Sequence, residues 1–197
     1  MAAGVKRKRF GGSEHEARQK ENHANKESLE QSLEKVRRLE ALISESNKHL
    51  NHIRELLSLS HNSDDDEIAT CASIASCRTF CRLVTRGTFK IVNCDPAYST
   101  VNGWLEERYA EYSEQLIEQL DSNKIATQRI AVTLLLRLVK VEAEQDKARL
   151  KLKGGLWIKL ARCLIISEKA DAARSIFVDE YIKGYQDIKL YFCRTLT

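Results

Sequence analysis

The sequence predicts an all-α protein in which helical hairpins stack side by side as an α-solenoid. Three observations lead there. From Trp104 to Glu142, apolar residues recur at steps of three and four in two consecutive runs. The first holds Leu105, Tyr109, Tyr112, Leu116 and Leu120, the second Ala131, Leu134, Leu138 and Val141. That is the period of two amphipathic helices. Between them lie Asp121, Ser122 and Asn123, residue types that stop one helix and cap the next. Finally, one proline and eight glycines in 197 residues suit long helices with short connections. The second run, centred on LLLRLV, is the most apolar part of the chain and is expected to be sandwiched between neighbours.

The totals restrict the class further. Apolar residues make up 43% of the chain, enough for a real core. The longest uncharged apolar run, Ile130 to Leu136, falls far short of the ~20 residues of a membrane span. The basic N-terminus is followed by polar residues after Arg9, so no signal-peptide core follows. Six cysteines without a secretory signal predict reduced thiols in a cytosolic or nuclear protein. Residues 1–26 hold seven Lys/Arg against three Glu, which accounts for the whole net charge of +4; the rest balances at 25 of each sign.

In chain order, residues 1–26 lack hydrophobic periodicity and are expected to form a disordered basic arm. Within it, Lys6, Arg7, Lys8 and Arg9 are four consecutive cations, the pattern that an import receptor reads as a nuclear signal. From Glu27 to residue 197 a helical-repeat domain is expected. Leu29, Val36, Ile43, Leu50 and Leu57 fall seven apart, but the second coiled-coil seam would take Glu40, Asn47 and Arg54. A sustained coiled coil needs both positions apolar. Two helices, about 28–44 and 47–60, broken at Ser44-Glu45-Ser46-Asn47, are expected instead.

HNSDDDE follows. Ser63 or Asp64 is expected to cap a helix, with the next acids at the positive end of its dipole. That helix runs to about Arg86, where Gly87 stops it. It carries Cys77 and Cys81 on one face. A zinc site would need two further ligands, and no CxxC or HxxxH spacing supplies them, so core packing is the expectation. TFKIVNCDPAYST, residues 88–100, reads as a loop.

After the central hairpin, Lys147, Arg149, Lys151 and Lys153 alternate with Ala148, Leu150 and Leu152. In an extended segment these cations would face one way, as candidates for RNA phosphate contacts. Without interleaved aromatics there is no sign of base stacking, and a solvated basic connection is the plainer reading. Residues 156–166 and 170–183 make two more helices. Ile188 to Leu196 is an apolar stretch that either closes the stack or continues into a longer protein.

Hairpins about 35 to 45 residues apart define an α-solenoid of HEAT-like units, which offers extended surfaces to other macromolecules. No phosphate loop, dinucleotide turn, nucleophile elbow or paired metal motif is present. The expectation is therefore no enzyme, no catalytic or metal residues and no cofactor.

Four segments then carry a family resemblance: DDDEIATCASIASCRTFCRLVTRGTF (64–89); Trp104, Arg108 and Tyr109 with Leu116 and Leu120; VTLLLRLVKVE (132–142); and RRLEALISESN (37–47). Their order and spacing resemble the N-terminal half of the nucleolar complex protein 4 family, relatives of the CCAAT-binding-factor family. The resemblance implies a nucleolar, non-catalytic assembly factor of the small ribosomal subunit. Its implied partners are nucleolar protein 14, other small-subunit assembly factors and pre-ribosomal RNA, with no membrane. It also implies a longer architecture, whose most characteristic region is C-terminal. The alternative is a general nuclear adaptor or transcription-related factor unconnected with ribosomes. Trp104, Arg108 and Tyr109 are expected to pack rather than to contact a partner.

Overall fold

The computed structural model describes residues 12–90, 96–145 and 155–195. Eight helices account for nearly all of them: α1 (Gly12–Glu45), α2 (His52–Asn62), α3 (Asp66–Thr85), α4 (Pro96–Gln119), α5 (Ile125–Gln145), α6 (Gly155–Ile166), α7 (Asp171–Ile176, continued by a π-helical turn over Phe177–Ile182) and α8 (Gln186–Thr195). No strand occurs among the described residues.

The helices form two layers. α3 packs on α1 and α5, and α5 packs on α7; α4 packs on α2 and α6, and α6 packs on α8. Odd-numbered helices therefore make one layer and even-numbered helices the other, which is the α-solenoid expected. Ties between neighbouring helices of one layer fix the register. Lys124 Nζ meets Asp66 at 2.6 Å, and the Cys77 thiol lies 3.8 Å from the Leu134 carbonyl, separations of 58 and 57 residues. A nearly constant offset means that α3 and α5 run parallel. In the other layer, Ser60 meets Gln115 at a separation of 55 and Lys159 meets Glu114 at 45. The steps at the two ends are shorter: 38 from Glu40 to Arg78, and 38 from Trp157 to Thr195. The expected spacing holds there and lengthens in the middle.

That lengthening comes from the segment expected to be a loop. A 3₁₀ turn occupies Thr88–Lys90, and α4 begins at Pro96, two turns before Trp104. Proline is well placed in a first helical turn, where its missing N–H would have had no partner. Helix α1 also starts early, at Gly12, inside the span expected to be a disordered arm. Residues 13–26 contain no proline and no β-branched residue and are rich in Glu, Ala, Arg, Gln and Lys. Once the amphipathic part beyond has formed a nucleus, adding such residues costs little.

The break after α1 is real. Ser46 Oγ accepts from the Lys48 N–H, opening a 3₁₀ turn at Asn47–His49, and the chain restarts as α2. Val36, Leu39 and Ile43 are buried under α2 and α3, so the seven-residue spacing serves one core face. The cap of α3 is Asp65, one residue beyond the expected positions. Its Oδ1 accepts from Glu67 N at 2.8 Å and Ile68 N at 3.3 Å, while Ser63 Oγ accepts from Asp65 N. At the other end Gly87 takes φ +72°, the left-handed conformation that favours glycine.

The core is continuous and centred on α3, α4 and α5. Phe80 is fully buried, stacks on Tyr112 with centroids 5.4 Å apart and meets Tyr109 edge-on. The Tyr112 hydroxyl donates to the Ser73 carbonyl at 2.7 Å, so its one polar atom is satisfied. As expected, α5 is buried on most sides, with Ala131, Val132, Leu134, Leu135, Leu136, Leu138 and Val139 all enclosed.

Gln128 on α5 ties the next repeat on. α7 has no side-chain cap of its own. Instead the buried Gln128 Oε1 accepts from Ala172 N at 3.1 Å and Ala173 N at 3.4 Å, capping α7 from across the stack. Its Nε2 donates to the Ser122 and Lys169 carbonyls at 2.7 and 2.6 Å.

Candidate interaction surface

No cluster of three or more His, Cys, Asp or Glu among the described residues can hold a metal ion. No helix among the described residues is long and apolar enough to cross a membrane. A shallow groove of about 310 Å³ between the start of α3 and the start of α5 is lined by His61, Asp66, Ser73, Gln119 and Lys124. The Asp66–Lys124 ion pair stands at its wall and serves the packing of the two helices.

The sequence candidates separate into three groups. Lys6, Arg7, Lys8 and Arg9, and likewise Lys147, Arg149, Lys151 and Lys153, lie outside the described residues. Cys77 and Cys81 are in the core, with sulfurs 4.0 Å apart. Cys81 is the thiol of the pair that ionises more readily: a hydrogen bond from Cys77 favours its thiolate first, and the Arg137 guanidinium adds to this against the cost of burial. The hydrogen bond to Cys81, and after it burial, push the Cys77 thiol up. Trp104, Arg108 and Tyr109 take packing roles. Arg108 lies 6.0 Å from the Trp104 ring centroid and pairs with Glu111 at 2.8 Å. The Tyr109 hydroxyl donates to Glu142 at 2.6 Å, and burial raises the Glu142 carboxyl above its ordinary value.

The surface has a charge pattern that reading the chain in order does not reveal. On α3, Arg78, Arg82 and the C-cap Arg86 recur every four residues and so share one helix face. On α5, Arg129, Arg137 and Lys140 lie on the outward stripe that also holds Thr133. Parallel packing sets the two stripes side by side, and Arg137 lies against Cys81 of α3. Glu40 of α1 accepts from Arg78 Nε at 2.9 Å, from Arg78 Nη2 at 2.6 Å and from Arg82 Nη2. Burial pushes the Glu40 carboxyl up, but the two guanidiniums outweigh it and hold the group below its ordinary value. On α4 of the other layer, Glu106, Glu107, Glu111, Glu114 and Glu118 stand against Arg108 as the one cation of that helix. The two layers thus present opposite charge at mid-stack. A balanced total concealed this, although the four-residue arginine spacing was visible in the sequence.

A two-layer stack of helical hairpins with polar outer faces defines a helical-repeat protein. The chain belongs to the nucleolar complex protein 4-like family: the family described as "Nucleolar complex protein 4-like, TPR repeats" matches residues 24–197. Its name assigns the hairpins as TPR repeats, which like HEAT units are built from paired helices. The family is one of nucleolar ribosome biogenesis. An uncharacterized protein of Schizosaccharomyces pombe is 30% identical over 164 residues, which cover 80% of this chain and 33% of that protein. The chain thus spans about a third of the length of that curated relative. No solved structure matches the chain.

Proposed function

We propose that this region is a non-catalytic scaffold in assembly of the small ribosomal subunit, working in the nucleolar pre-ribosomal particle. The family match over residues 24–197 carries this reading. The two-layer stack supports it, because its long outer faces are polar and suited to several macromolecular contacts at once. Nucleolar protein 14 and other small-subunit assembly factors are the partners we assign, with pre-ribosomal RNA beside them. The Lys6–Arg9 cluster supplies entry to the nucleus through an import receptor.

The test is affinity purification of the tagged chain from nuclear extract, with and without ribonuclease, read by mass spectrometry. Enrichment of small-subunit assembly factors, led by nucleolar protein 14, is expected. Enrichment of transcription factors or unrelated nuclear proteins in their place would overturn the reading. For the import claim, deletion of residues 6–9 is expected to move the tagged chain into the cytoplasm. An unchanged nuclear signal would remove it.

A further inference from the structure

We propose that the adjoining cationic stripes of α3 and α5, formed by Arg78, Arg82, Arg86, Arg129, Arg137 and Lys140, are a sequence-independent binding surface for the phosphate backbone of single-stranded RNA. The choice of RNA among polyanions rests on the ribosome-biogenesis reading above. The surface itself rests on geometry.

Parallel packing of α3 on α5 makes one continuous patch from two helices. At 1.5 Å rise per residue, Arg78 to Arg86 spans ~12 Å and Arg129 to Lys140 ~16 Å. Neighbouring axes lie ~8–10 Å apart. The patch is therefore wide enough for several successive phosphates of one strand.

Two of its cations are held ready. Glu40 engages both Arg78 and Arg82, yet their side chains remain 44% and 38% exposed. One carboxylate cannot neutralise two guanidiniums, and each guanidinium has five donors, so both keep N–H groups for a second acceptor. Arg86, Arg129, Arg137 and Lys140 make no ion pair with any described residue. The adjacent helix α7 differs, because Asp171 pairs with Arg174 and Asp179 with Lys183. Helix α6 also carries two cations, but its Lys159 pairs with Glu114, whereas α5 carries three cations with no ion pair among the described residues.

The side chains around the patch select the class of partner. Its outward neighbours are Thr85, Thr133 and Ala126, with Glu144 beyond Lys140 at the far end of α5 and no exposed aromatic residue on either helix. A protein partner would be expected to find a buried apolar or aromatic anchor at the centre of its site. Base-specific or stacking recognition of RNA would also need aromatics. What remains is phosphate recognition by guanidinium forks. The acidic α4 face repels the same polyanion and orients the molecule on it.

The experiment measures binding of the purified full chain to a labelled oligouridylate across a salt series. The stripe variant is Arg86→Gln, Arg137→Gln and Lys140→Gln. The control is Arg54→Gln, Arg162→Gln and Lys189→Gln, three exposed cations of the even layer that remove the same charge. Helicity and melting temperature of both variants serve as the folding check. Each lost phosphate contact makes the slope of log K against log salt shallower by about 0.7 for a single strand, so the stripe variant should lose about 2 in slope and about tenfold or more in affinity. The control should keep the wild-type slope. Equal behaviour of the two variants would overturn the proposal, as would tighter binding of a polyglutamate peptide than of the RNA. Because synthetic RNA and purified protein are used, such a failure leaves the assembly-factor reading standing. Failure of the co-purification experiment would leave the stripe standing.

Discussion

The middle of the stack and its last repeat use the same materials to different effect. In the middle, Phe80, Tyr112, Leu116 and Leu135 are enclosed almost completely, and the polar tip of Tyr112 bonds the α3 backbone. At the end, Phe177 is buried against Trp157 and Phe192, but Phe192 is only half-buried and α8 contributes no fully buried residue. Ile165, Ile166, Val178 and Leu190 remain exposed there. The difference follows from position. A helix in a two-layer stack is enclosed only when a neighbour lies on each side. Among the described residues α3 and α5 have both, and α8 has neighbours on one side. The middle is therefore the stable unit, and the last repeat depends on what joins it to the middle.

Paired truncations test that contrast. Phe80→Ala should cost about 3–5 kcal/mol, the range for a large aromatic removed from an enclosed core. Phe192→Ala should cost about 1–2 kcal/mol, because much of its surface is already in water. Denaturant melts read both, and equal losses would break the comparison. Gln128→Ala comes next, at about 2–3 kcal/mol, since it leaves two N–H groups of α7 and two carbonyls without partners. Its signature is regional: amide exchange should speed up in α7 more than in α3.

Much of this architecture was legible in the sequence. The α4–α5 hairpin announces itself because a long apolar period is interrupted by capping residues. The restart at Ser46 and the stop at Gly87 follow from the same local chemistry. Two helix starts were misplaced for a shared reason. The early turns of α1 and α4 carry little hydrophobic period, so a pattern-based reading cannot see them, whereas propensity and continuity with the helix beyond are enough to form them. The Gln128 cap was invisible, because it joins residues 44 apart in sequence. The arginine stripes were visible separately, but their union needed the parallel register of α3 and α5. The cysteine pair shows the reverse, since spacing offered a half-built metal site and burial placed both thiols in the core.

Smaller effects sharpen the account of the middle. Tyr112→Phe should cost about 1 kcal/mol, the value of one buried hydrogen bond, with the ring packing kept. Glu142→Gln should be neutral or stabilising by up to about 1 kcal/mol near neutral pH. Burial raises the Glu142 carboxyl, so its charged form is disfavoured in the folded chain. Its contribution is fully present below the ordinary value of 4.5 and is lost as pH rises through the raised folded value. Glutamine can still accept from Tyr109 and carries no charge. Glu40 has the opposite sign. Its folded carboxyl lies below 4.5, so its contribution is present above 4.5 and is lost as pH falls through the lowered value. Glu40→Gln should therefore reduce the acid-side loss of stability, while Glu142→Gln reduces the decline as pH rises above 4.5. Melting temperature against pH for the two variants separates them.

The parallel two-layer register underlies both the family fold and the joined arginine stripes. Zero-length carbodiimide cross-linking, read by mass spectrometry, tests it most directly. Lys124–Asp66, between α3 and the turn before α5, and Lys159–Glu114, between α4 and α6, are 2.6 and 3.0 Å apart. The account predicts that both pairs are linked within single monomeric chains. Consistent linkage of Lys124 and Lys159 to acids elsewhere in the chain, with neither pair formed, would contradict it.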